Sequence, residues 1–415
     1  MFAGADAAAH AVVSPRRTAA AIAAVFFVNG ASLASWTARL PEVKAQLGVS
    51  DAALGLTLLG TGVGGLAASL ASGRAVDRYG AGTVTVVTSA AMSICLAALG
   101  LSSVALVVFG VLIVLGAFDG LTDVAMNAQA LTLQRRLGRS IITRFHALWS
   151  AGAMTGALVA GRVAAAGISV RVQLLVTSAV LLGITAVARA WLLPSPVPVA
   201  TDTADPADAD TSDDGDIGGL GLPAEVRTST PRRLLLRLFA IGAMVALAEQ
   251  PPNDWAALLL DDRFDISPGV ASLGLVATAG GMLVGRIFGD TATDRYGAER
   301  TRRGGALLTV IGLVLAATTP FAVTSALGLL VTGIGLSSLF PLLFRAAGDL
   351  TGGSHGAMAA FSSGARLGFL LGAPAVGLLA DASSVTIAVL TLAGGAAAIV
   401  AATPVSRRSP AGAAS

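Results

Sequence analysis

Long apolar runs, separated by short polar turns, constrain the fold of this 415-residue chain more than any other feature. Each run spans about twenty residues and is almost free of charge, which is the length an α-helix needs to cross the hydrocarbon core of a bilayer. Only 12% of the residues are charged, and 50 are glycines, which let helices approach closely in lipid. The pattern predicts an all-α integral membrane protein.

The apolar runs fall into two sets of six. An N-terminal bundle is predicted over 18–193 and a C-terminal bundle over 232–403, with cytoplasmic tails at 1–17 and 404–415. The stretch 194–231 holds seven aspartates and cannot bury enough apolar surface to fold, so it is predicted to be a disordered cytoplasmic linker. The predicted spans are 18–38, 53–72, 83–99, 104–133, 145–165 and 172–193, then 235–257, 270–289, 305–321, 324–344, 357–380 and 384–403.

A charged turn is repeated in the two sets. Asp77-Arg78-Tyr79-Gly80-Ala81 returns as Asp294-Arg295-Tyr296-Gly297-Ala298, 217 residues later. Trp36 and Trp255 precede the two turns by nearly equal distances. Such repetition indicates duplication, and the two halves are therefore predicted to face each other across a pseudo-two-fold axis.

Basic residues are distributed unevenly between the two sides of the predicted membrane. With the N-terminus placed inside, 21 arginines lie on that side and five basic residues lie on the other. Because Lys and Arg accumulate on the cytoplasmic side, both termini are predicted to be cytoplasmic, in a multi-pass protein of the inner (plasma) membrane. The same distribution explains the isoelectric point near 9.7 without nucleic acid as a partner.

Several kinds of active site are missing from the sequence. The single cysteine, Cys95, lies inside an apolar run, so no disulfide within the chain, metal site or redox centre is predicted. The stretch 60–65 matches a dinucleotide motif only formally, since no strand precedes it. No nucleophile elbow or phosphate-binding lysine motif is present. The chain is therefore predicted to be neither an enzyme nor an ATP-driven pump, and to use no cofactor.

The first charged turn resembles a known family signature. Gly73-x-x-x-Asp77-Arg78-x-Gly80 is similar to the loop 2–3 motif of the major facilitator superfamily, and twelve spans with a long central loop and a second, degenerate copy resemble that family too. The resemblance implies the major facilitator fold and alternating access. The sequence departs from the motif at Ala81-Gly82, where a basic pair is usual, and at Asp290, where the second copy lacks its first glycine.

Shorter stretches resemble a bacterial branch near the fucose permeases. These are residues 36–41, 123–127 and 145–150. The arginine-led signature that proton-coupled drug exporters carry in span 4 is missing, since Gly116-Ala117-Phe118-Asp119 stands there. The resemblance therefore implies a sugar or similar small polar solute that is taken up with protons.

Span 4 carries a polar stripe. Asp119, Asp123 and Asn127 are spaced i, i+4, i+8 and so lie along one face of a helix. Carboxylates at bilayer depth are costly and invite an explanation. By resemblance, span 4 lines the central cavity, where a carboxylate can bind and release a proton. The alternative is that one aspartate pairs permanently with an arginine as a structural element.

Span 7 carries a second polar segment around Pro251-Pro252, where the tandem prolines predict a break or kink. When Trp36 is aligned with Trp255, Asn29 lies opposite this segment, and weakened helices at corresponding positions indicate a transporter's site. The candidate residues are Asn29, Glu249, Gln250 and Asn253. In the alternative, Asn253 and Asp254 lie in the outer loop and only cap helices.

Three further residues are candidates for the solute and proton pathway. Arg366, predicted near mid-depth of span 11, binds either an anionic substrate group or, as we favour, Asp119, Asp123 or Glu249 across the halves. His146 is a candidate proton relay, with Trp149 as an aromatic wall one turn on. A structural hydrogen bond is the alternative for His146.

The signature turns are predicted to act as gates. Asp77 can pair with a helix N-terminus or a cation and lock the cytoplasmic side in one state. Arg286 and Asp290 can form the matching network with Asp294-Arg295 in the other half. The gating candidates are Gly73, Asp77, Arg78, Gly80, Arg286, Asp290, Asp294, Arg295 and Gly297.

The sequence thus predicts a monomeric secondary active transporter in the lipid bilayer, coupled to protons and specific for a small polar solute such as a sugar. One alternative is a proton antiporter that exports a drug or secondary metabolite. An alternative of another class is a membrane receptor or scaffold that keeps the fold without transport.

Overall fold

The computed structural model describes residues 14–138, 141–193, 231–350 and 355–403. The predicted tails and the linker lie outside the described residues, apart from 14–17 and Pro231. Helices of the first half are α1 (Pro15–Thr37), α2 (Leu40–Leu47), α3 (Asp51–Tyr79), α4 (Ala81–Leu101), α5 (Ala105–Leu137), α6 (Ile142–Ala165) and α7 (Val170–Ala188). Those of the second half are α8 (Arg232–Phe264), α9 (Pro268–Ala271), α10 (Leu273–Tyr296), α11 (Ala298–Thr318), α12 (Ala322–Leu336), α13 (Leu339–Leu350), α14 (His355–Ala382), α15 (Val385–Val389) and α16 (Gly395–Ala402), with a π-turn over Leu390–Gly394.

The predicted all-α membrane architecture is confirmed. Ten helical segments of the described part are long and apolar enough to cross a bilayer. Helices α6 and α11, with 24 and 21 residues, carry more polar and small side chains and complete the predicted twelve. Two short helices that the sequence analysis did not predict, α2 and α9, follow α1 and α8.

Successive long helices alternate in direction, so each half has two ends. The chain enters α1 and leaves α16 at one end, here called the terminal end, and α2 and α9 lie at the opposite, distal end. At the terminal end, Arg302 of α11 donates to the carbonyls of Val400 and Thr403. At the distal end, Arg263 of α8 donates to the carbonyl of Thr319 at 2.6 Å.

The two halves repeat the same helix packing, residue for residue. A Cβ on Gly64 of α3 would collide with the carbonyl of Ile113 on α5, and a Cβ on Gly281 of α10 would collide with that of Leu330 on α12. Both residues of the second pair lie 217 positions after their counterparts. The reciprocal contacts obey the same offset: Gly116 against Thr61, and Gly333 against Thr278. The duplication inferred from the charged turns is therefore a duplication of packing.

A different offset relates the first helices of the halves. Gly30 of α1 abuts the carbonyl of Trp149 on α6, and Gly242 of α8 abuts that of Phe361 on α14, so these pairs correspond at an offset of 212. Gly152 against Phe27 and Gly364 against Phe239 repeat it. The alignment of Trp36 with Trp255, which needs 219, is therefore wrong by about two helical turns. Close backbone packing, and not the tryptophans, sets this register.

Contacts between the halves concentrate at the distal end. There the Ala52 N–H of α3 donates to Asp381 Oδ1 of α14 at 3.2 Å, and Gly161 of α6 packs on Ser272 beside α10. One apolar core joins both halves in this region and contains Trp36 and Trp255. Toward the terminal end the core divides into two clusters, one in each half. The cleft between the halves is thus closed distally and open at the terminal end.

Each charged turn ends a helix on a glycine that no other residue replaces easily. Gly80 has φ 80° and ψ 142°, and Gly297 has φ 84° and ψ 152°. In both turns the arginine guanidinium lies over the neighbouring tyrosine ring, at 5.5 Å for Arg78 and 5.7 Å for Arg295. The aspartates Asp77 and Asp294 are exposed and form no ion pair within the described residues. Their predicted gating role stays a prediction.

Replacing Gly80 by alanine is expected to lower the free energy of unfolding by about 1–3 kcal/mol, because this backbone region is almost restricted to glycine. The matched control is Gly73→Ala in the same signature. Gly73 is exposed within helix α3, and no atom lies within 4 Å of the Cβ that alanine would add, so this change should be neutral or stabilise by roughly 0.5–1 kcal/mol. Thermal unfolding of the two purified variants measures the difference. Equal destabilisation by both changes would contradict the backbone explanation.

Helix α8 continues without interruption through Pro251 and Pro252. The predicted break is therefore wrong, and the kink that was its alternative stays a prediction. Both prolines are buried, and so is the stretch from Asp254 to Leu260. Packing therefore holds the helix around the two positions where proline supplies no backbone N–H. Asn253 Nδ2 adds a hydrogen bond to the Glu249 carbonyl at 2.8 Å across the same turn.

Candidate functional site

A chain of side-chain hydrogen bonds joins three helices of the first half beside the cleft. Trp149 Nε1 on α6 donates to Asn29 Oδ1 on α1 at 2.7 Å, and Asn29 Nδ2 donates to Asp119 Oδ1 on α5 at 2.8 Å. All three residues are candidates from the sequence, but the hydrogen bonds between them were not predicted. Because Asn29 donates with its amide and accepts with its oxygen, it fixes the orientation of both neighbours.

Asp123 and Asn127 continue the stripe along α5 toward the terminal end. Asn127 Nδ2 donates to Asp123 Oδ1 at 3.0 Å and to the Asp123 carbonyl at 2.9 Å. Asp123 is exposed, and Asp119 and Asn127 are half-buried. Neither aspartate forms an ion pair in the part of the chain that the structure describes. The alternative of a permanent structural pair with an arginine is not realised here.

Arg286 crosses from α10 in the second half to α6 in the first. Its Nη1 donates to Ser150 Oγ and, at 3.3 Å, to the His146 carbonyl, and its guanidinium lies 5.0 Å from the centre of a Trp149 ring. The predicted network with Asp290 is absent, since Asp290 is exposed and unpaired among the described residues. Asp290 was the predicted partner because it follows Arg286 by one turn of α10. The guanidinium instead donates to acceptors on α6 and lies over an aromatic ring of that helix.

Glu249 of α8 faces the same region. It is half-buried, and its carboxylate forms no hydrogen bond or direct ion pair within the described ranges. The nearest opposite charge that acts on it is Arg286. One turn on, Gln250 Nε2 donates to Asp254 Oδ2 at 2.7 Å. Asn253 and Asp254 lie inside α8, so the alternative that placed them in the outer loop is wrong.

Two basic or titratable candidates do not join this group as predicted. Arg366 of α14 is exposed and makes no ion pair in the described chain, so the pair across the halves is absent in this conformation. Around the axis of α14, Arg366 lies more than about 90° from the exposed Leu371 and Leu378, so it is on a different face of the helix from these two leucines. His146 packs its ring edge-on against Phe26 at 5.4 Å. Arg286, and not Arg366, is the cation that links the halves.

Phenylalanines occupy the second half where the first half is polar. Phe340 of α13 lies 6.4 Å from Phe344, 5.5 Å from Phe361 and 6.3 Å from Phe369, measured between ring centroids. Phe340, Phe344 and Phe369 are half-buried, and Phe361 is fully buried. This cluster is not among the residues predicted from the sequence, although the 217-residue offset between the charged turns carries Asp123 onto Phe340.

Comparisons with known proteins agree with this architecture. A family model described as the Major Facilitator Superfamily matches residues 20–251 and 238–414. An uncharacterised MFS-type transporter of Yersinia pestis is 28% identical over 88% of this chain and 89% of its own length. An uncharacterised transporter of Sinorhizobium fredii is 29% identical over 88% of this chain and 91% of its own. The crystal structure of the nucleoside transporter NupG has a TM-score of 0.69 at 15% identity, over 92% of this chain and 96% of that one.

Proposed function

We propose that this chain, a membrane transporter that belongs to the major facilitator superfamily, moves a small polar solute by alternating access and couples the movement to protons. The observation that carries the proposal is a set of carboxylates, Asp119, Asp123 and Glu249, that form no ion pair with any residue the structure describes and lie beside a cleft that opens at one end only. Acidic groups at bilayer depth are retained mainly where they bind ions, protons or substrates. Transport between two symmetric halves gives them such a role.

The repeated packing supports rocking of the halves as the transport motion. Two equivalent contacts cross the cleft, α3 with α14 and α6 with α9 and α10, and both include close approaches at glycines. Such surfaces can slide while each half stays rigid. With the terminal end cytoplasmic, as the arginine distribution predicts, the structure corresponds to an inward-open state. We place the protein, as a monomer, in the inner membrane.

The carboxylates are proposed to carry the coupling proton. In proteoliposomes with an acidic exterior, the triple variant Asp119→Asn, Asp123→Asn, Glu249→Gln is expected to lose solute accumulation by at least about tenfold, because the three carboxylates proposed to load the proton are gone. Exchange of labelled for unlabelled solute, which needs no net proton movement, reports separately whether the variant still binds and moves its solute. Mass spectrometry of a mixed pool of sugars, nucleosides and amines identifies the solute. Asp262→Asn, at an exposed distal position, is the matched control.

Gradient-driven accumulation that survives the triple change would contradict proton coupling at these residues. Loss of both accumulation and exchange would instead assign the carboxylates to solute binding.

Different observations favour two classes of solute, a sugar-like polar solute and a drug or secondary metabolite. Resemblance to the fucose-permease branch favours a sugar, and NupG, a nucleoside transporter of the same fold, favours a related polar solute. Export of a drug or secondary metabolite by proton antiport is favoured by a different observation, the apolar wall of Phe340, Phe344 and Phe369. Uptake and resistance assays in cells separate the two. A receptor or scaffold would show neither uptake nor export.

A further inference from the structure

The two walls of the cleft differ in chemistry although they share one packing plan. Helices α3 and α5 superpose on α10 and α12 at an offset of 217, as the glycine contacts demonstrate. At this offset Asp119 corresponds to Leu336, the last residue of α12, and the offset extended past the turn at Ser337-Ser338 pairs Asp123 and Asn127 with Phe340 and Phe344 of α13. Residues at equivalent positions in two halves related by a pseudo-two-fold axis face the same cleft from opposite sides. An acidic wall therefore faces an aromatic wall.

The aromatic wall offers ring faces to a ligand. Phe340 and Phe344 are nearly parallel, with an angle of 9° between their planes, and Phe369 is inclined to Phe340 by 29°. All three are half-buried, so protein does not enclose them completely. In the first half, by contrast, Trp149 is occupied, because its indole N–H bonds Asn29 and Arg286 covers its face. A ligand in the cleft would therefore stack on the phenylalanine rings of the second half.

The acidic wall supplies negative charge that no described residue neutralises by a direct ion pair. Asp123 is exposed, and within the described ranges its carboxylate has the amide of Asn127 as its partner. Glu249 has no direct side-chain partner in those ranges, and Arg286, the cation that acts on it, is committed to Ser150 and Trp149. The face of an aromatic ring also carries negative charge density and attracts cations. Both walls thus attract positive charge, by different means, and the exposed guanidinium of Arg366, on the helix that carries Phe369, opposes them.

We propose, resting on the transport function above, that the solute is an organic cation with a ring or other flat apolar face. Its charged group binds on the side of Asp123 and Glu249, and its flat face stacks on Phe340, Phe344 and Phe369. An anionic solute would have Arg366 to attract it but would meet three carboxylates, Asp119, Asp123 and Glu249. A neutral sugar could stack on a phenylalanine but would leave the charge of the acidic wall unused.

Binding to the purified full-length protein in detergent tests this assignment with four probes. They are 2-phenylethylammonium, 2-phenylethanol (the same ring without charge), butylammonium (charge without a ring) and glucose. Tryptophan fluorescence and thermal shift report binding. The ring-bearing cation is expected to bind at least tenfold more tightly than each of the other three.

Two variants divide the selectivity into its parts. Phe340→Leu with Phe344→Leu keeps the apolar volume and removes the rings, so the preference over butylammonium should be lost while that over 2-phenylethanol is kept. Asp123→Asn should do the reverse. Phe321→Leu, whose ring is 67% exposed at the distal end, is the control and should change neither preference.

The proposal is overturned if 2-phenylethanol, butylammonium or glucose binds as tightly as 2-phenylethylammonium, if no probe binds, or if the two variants leave both preferences unchanged. Failure of transport is separately visible. A protein that shows the expected selectivity in detergent but moves no solute into vesicles would contradict the proposed function and keep this binding site.

Discussion

Replacing Gly30 by leucine is expected to leave little folded protein. A Cβ at Gly30 would collide with the Trp149 carbonyl oxygen and lie 3.0 Å from the carbonyl carbon and 3.1 Å from the Ala153 nitrogen. These are backbone atoms of α6, which cannot turn aside as a side chain can. Overpacking of a core typically costs about 1–3 kcal/mol, and a leucine against backbone should reach or exceed the upper value. The helices would separate and pull Trp149 away from Asn29.

The measurement is the yield of monodisperse protein from the membrane and its thermal unfolding midpoint. Gly110→Leu is the matched control, because Gly110 is an exposed helical position of α5 with no atom within 4 Å of a new Cβ. It lies beside exposed Leu106 and Val107, so a leucine there should face lipid and retain the wild-type yield. Similar yields for the two variants would contradict the role given to the α1–α6 contact.

The same contact explains which parts of the fold the sequence predicted. Hydropathy predicted the all-α membrane architecture, and the repeated Asp-Arg-Tyr-Gly turn predicted the two halves. Both signals can be read from short, continuous stretches of residues. The register of α8 against α1 is not a local property. It depends on which of 50 glycines meet a carbonyl of another helix, and Gly30 and Gly242 look like any other glycine in the sequence. Trp36 and Trp255, being rare residues, suggested a false alignment.

The candidate site was predicted in its members and not in its connections. Asn29, Asp119 and Trp149 were selected because each is unusual at its depth in the membrane, but their mutual hydrogen bonds span 90 and 120 residues of chain. Arg286 was assigned to the gating turn because Asp290 follows it by one helical turn. Its acceptor Ser150 is 136 positions away, and a serine carries no signal that would have singled it out.

Removal of the Arg286 side chain is expected to shift the balance between the two open states of the transporter. In the state described here Arg286 joins the halves through Ser150, the His146 carbonyl and the Trp149 ring. A charge-assisted hydrogen bond contributes about 1.5–3 kcal/mol, and a partly desolvated cation–π contact about 1–2 kcal/mol. Rocking of α10 against α6 breaks these contacts, so Arg286→Ala should destabilise the terminal-open state relative to the terminal-closed one.

A loss of about 3 kcal/mol corresponds to a change of roughly 100-fold in the ratio of the two states. Spin labels on Tyr79→Cys and Tyr296→Cys report this ratio, since both tyrosines are exposed at equivalent places of the terminal end. The single native thiol is removed by Cys95→Ala. Electron–electron distance measurements should show a long separation in the parent protein and a predominantly short one in Arg286→Ala.

Arg286→Lys separates charge from geometry. Lysine keeps the positive charge near Glu249 but loses the planar guanidinium that stacks on Trp149 while donating to Ser150. An intermediate distance distribution is expected for it, because the attraction to Glu249 survives and the contacts to α6 do not. Arg295→Ala, at an exposed turn with no contact across the cleft, should leave the distribution unchanged. If Arg286→Ala also leaves the distance distribution unchanged, the contact across the halves does not stabilise the terminal-open state. The carboxylate of Glu249, which has no ion pair among the described residues, could then not be explained by an Arg286 side chain that moves between α6 and Glu249.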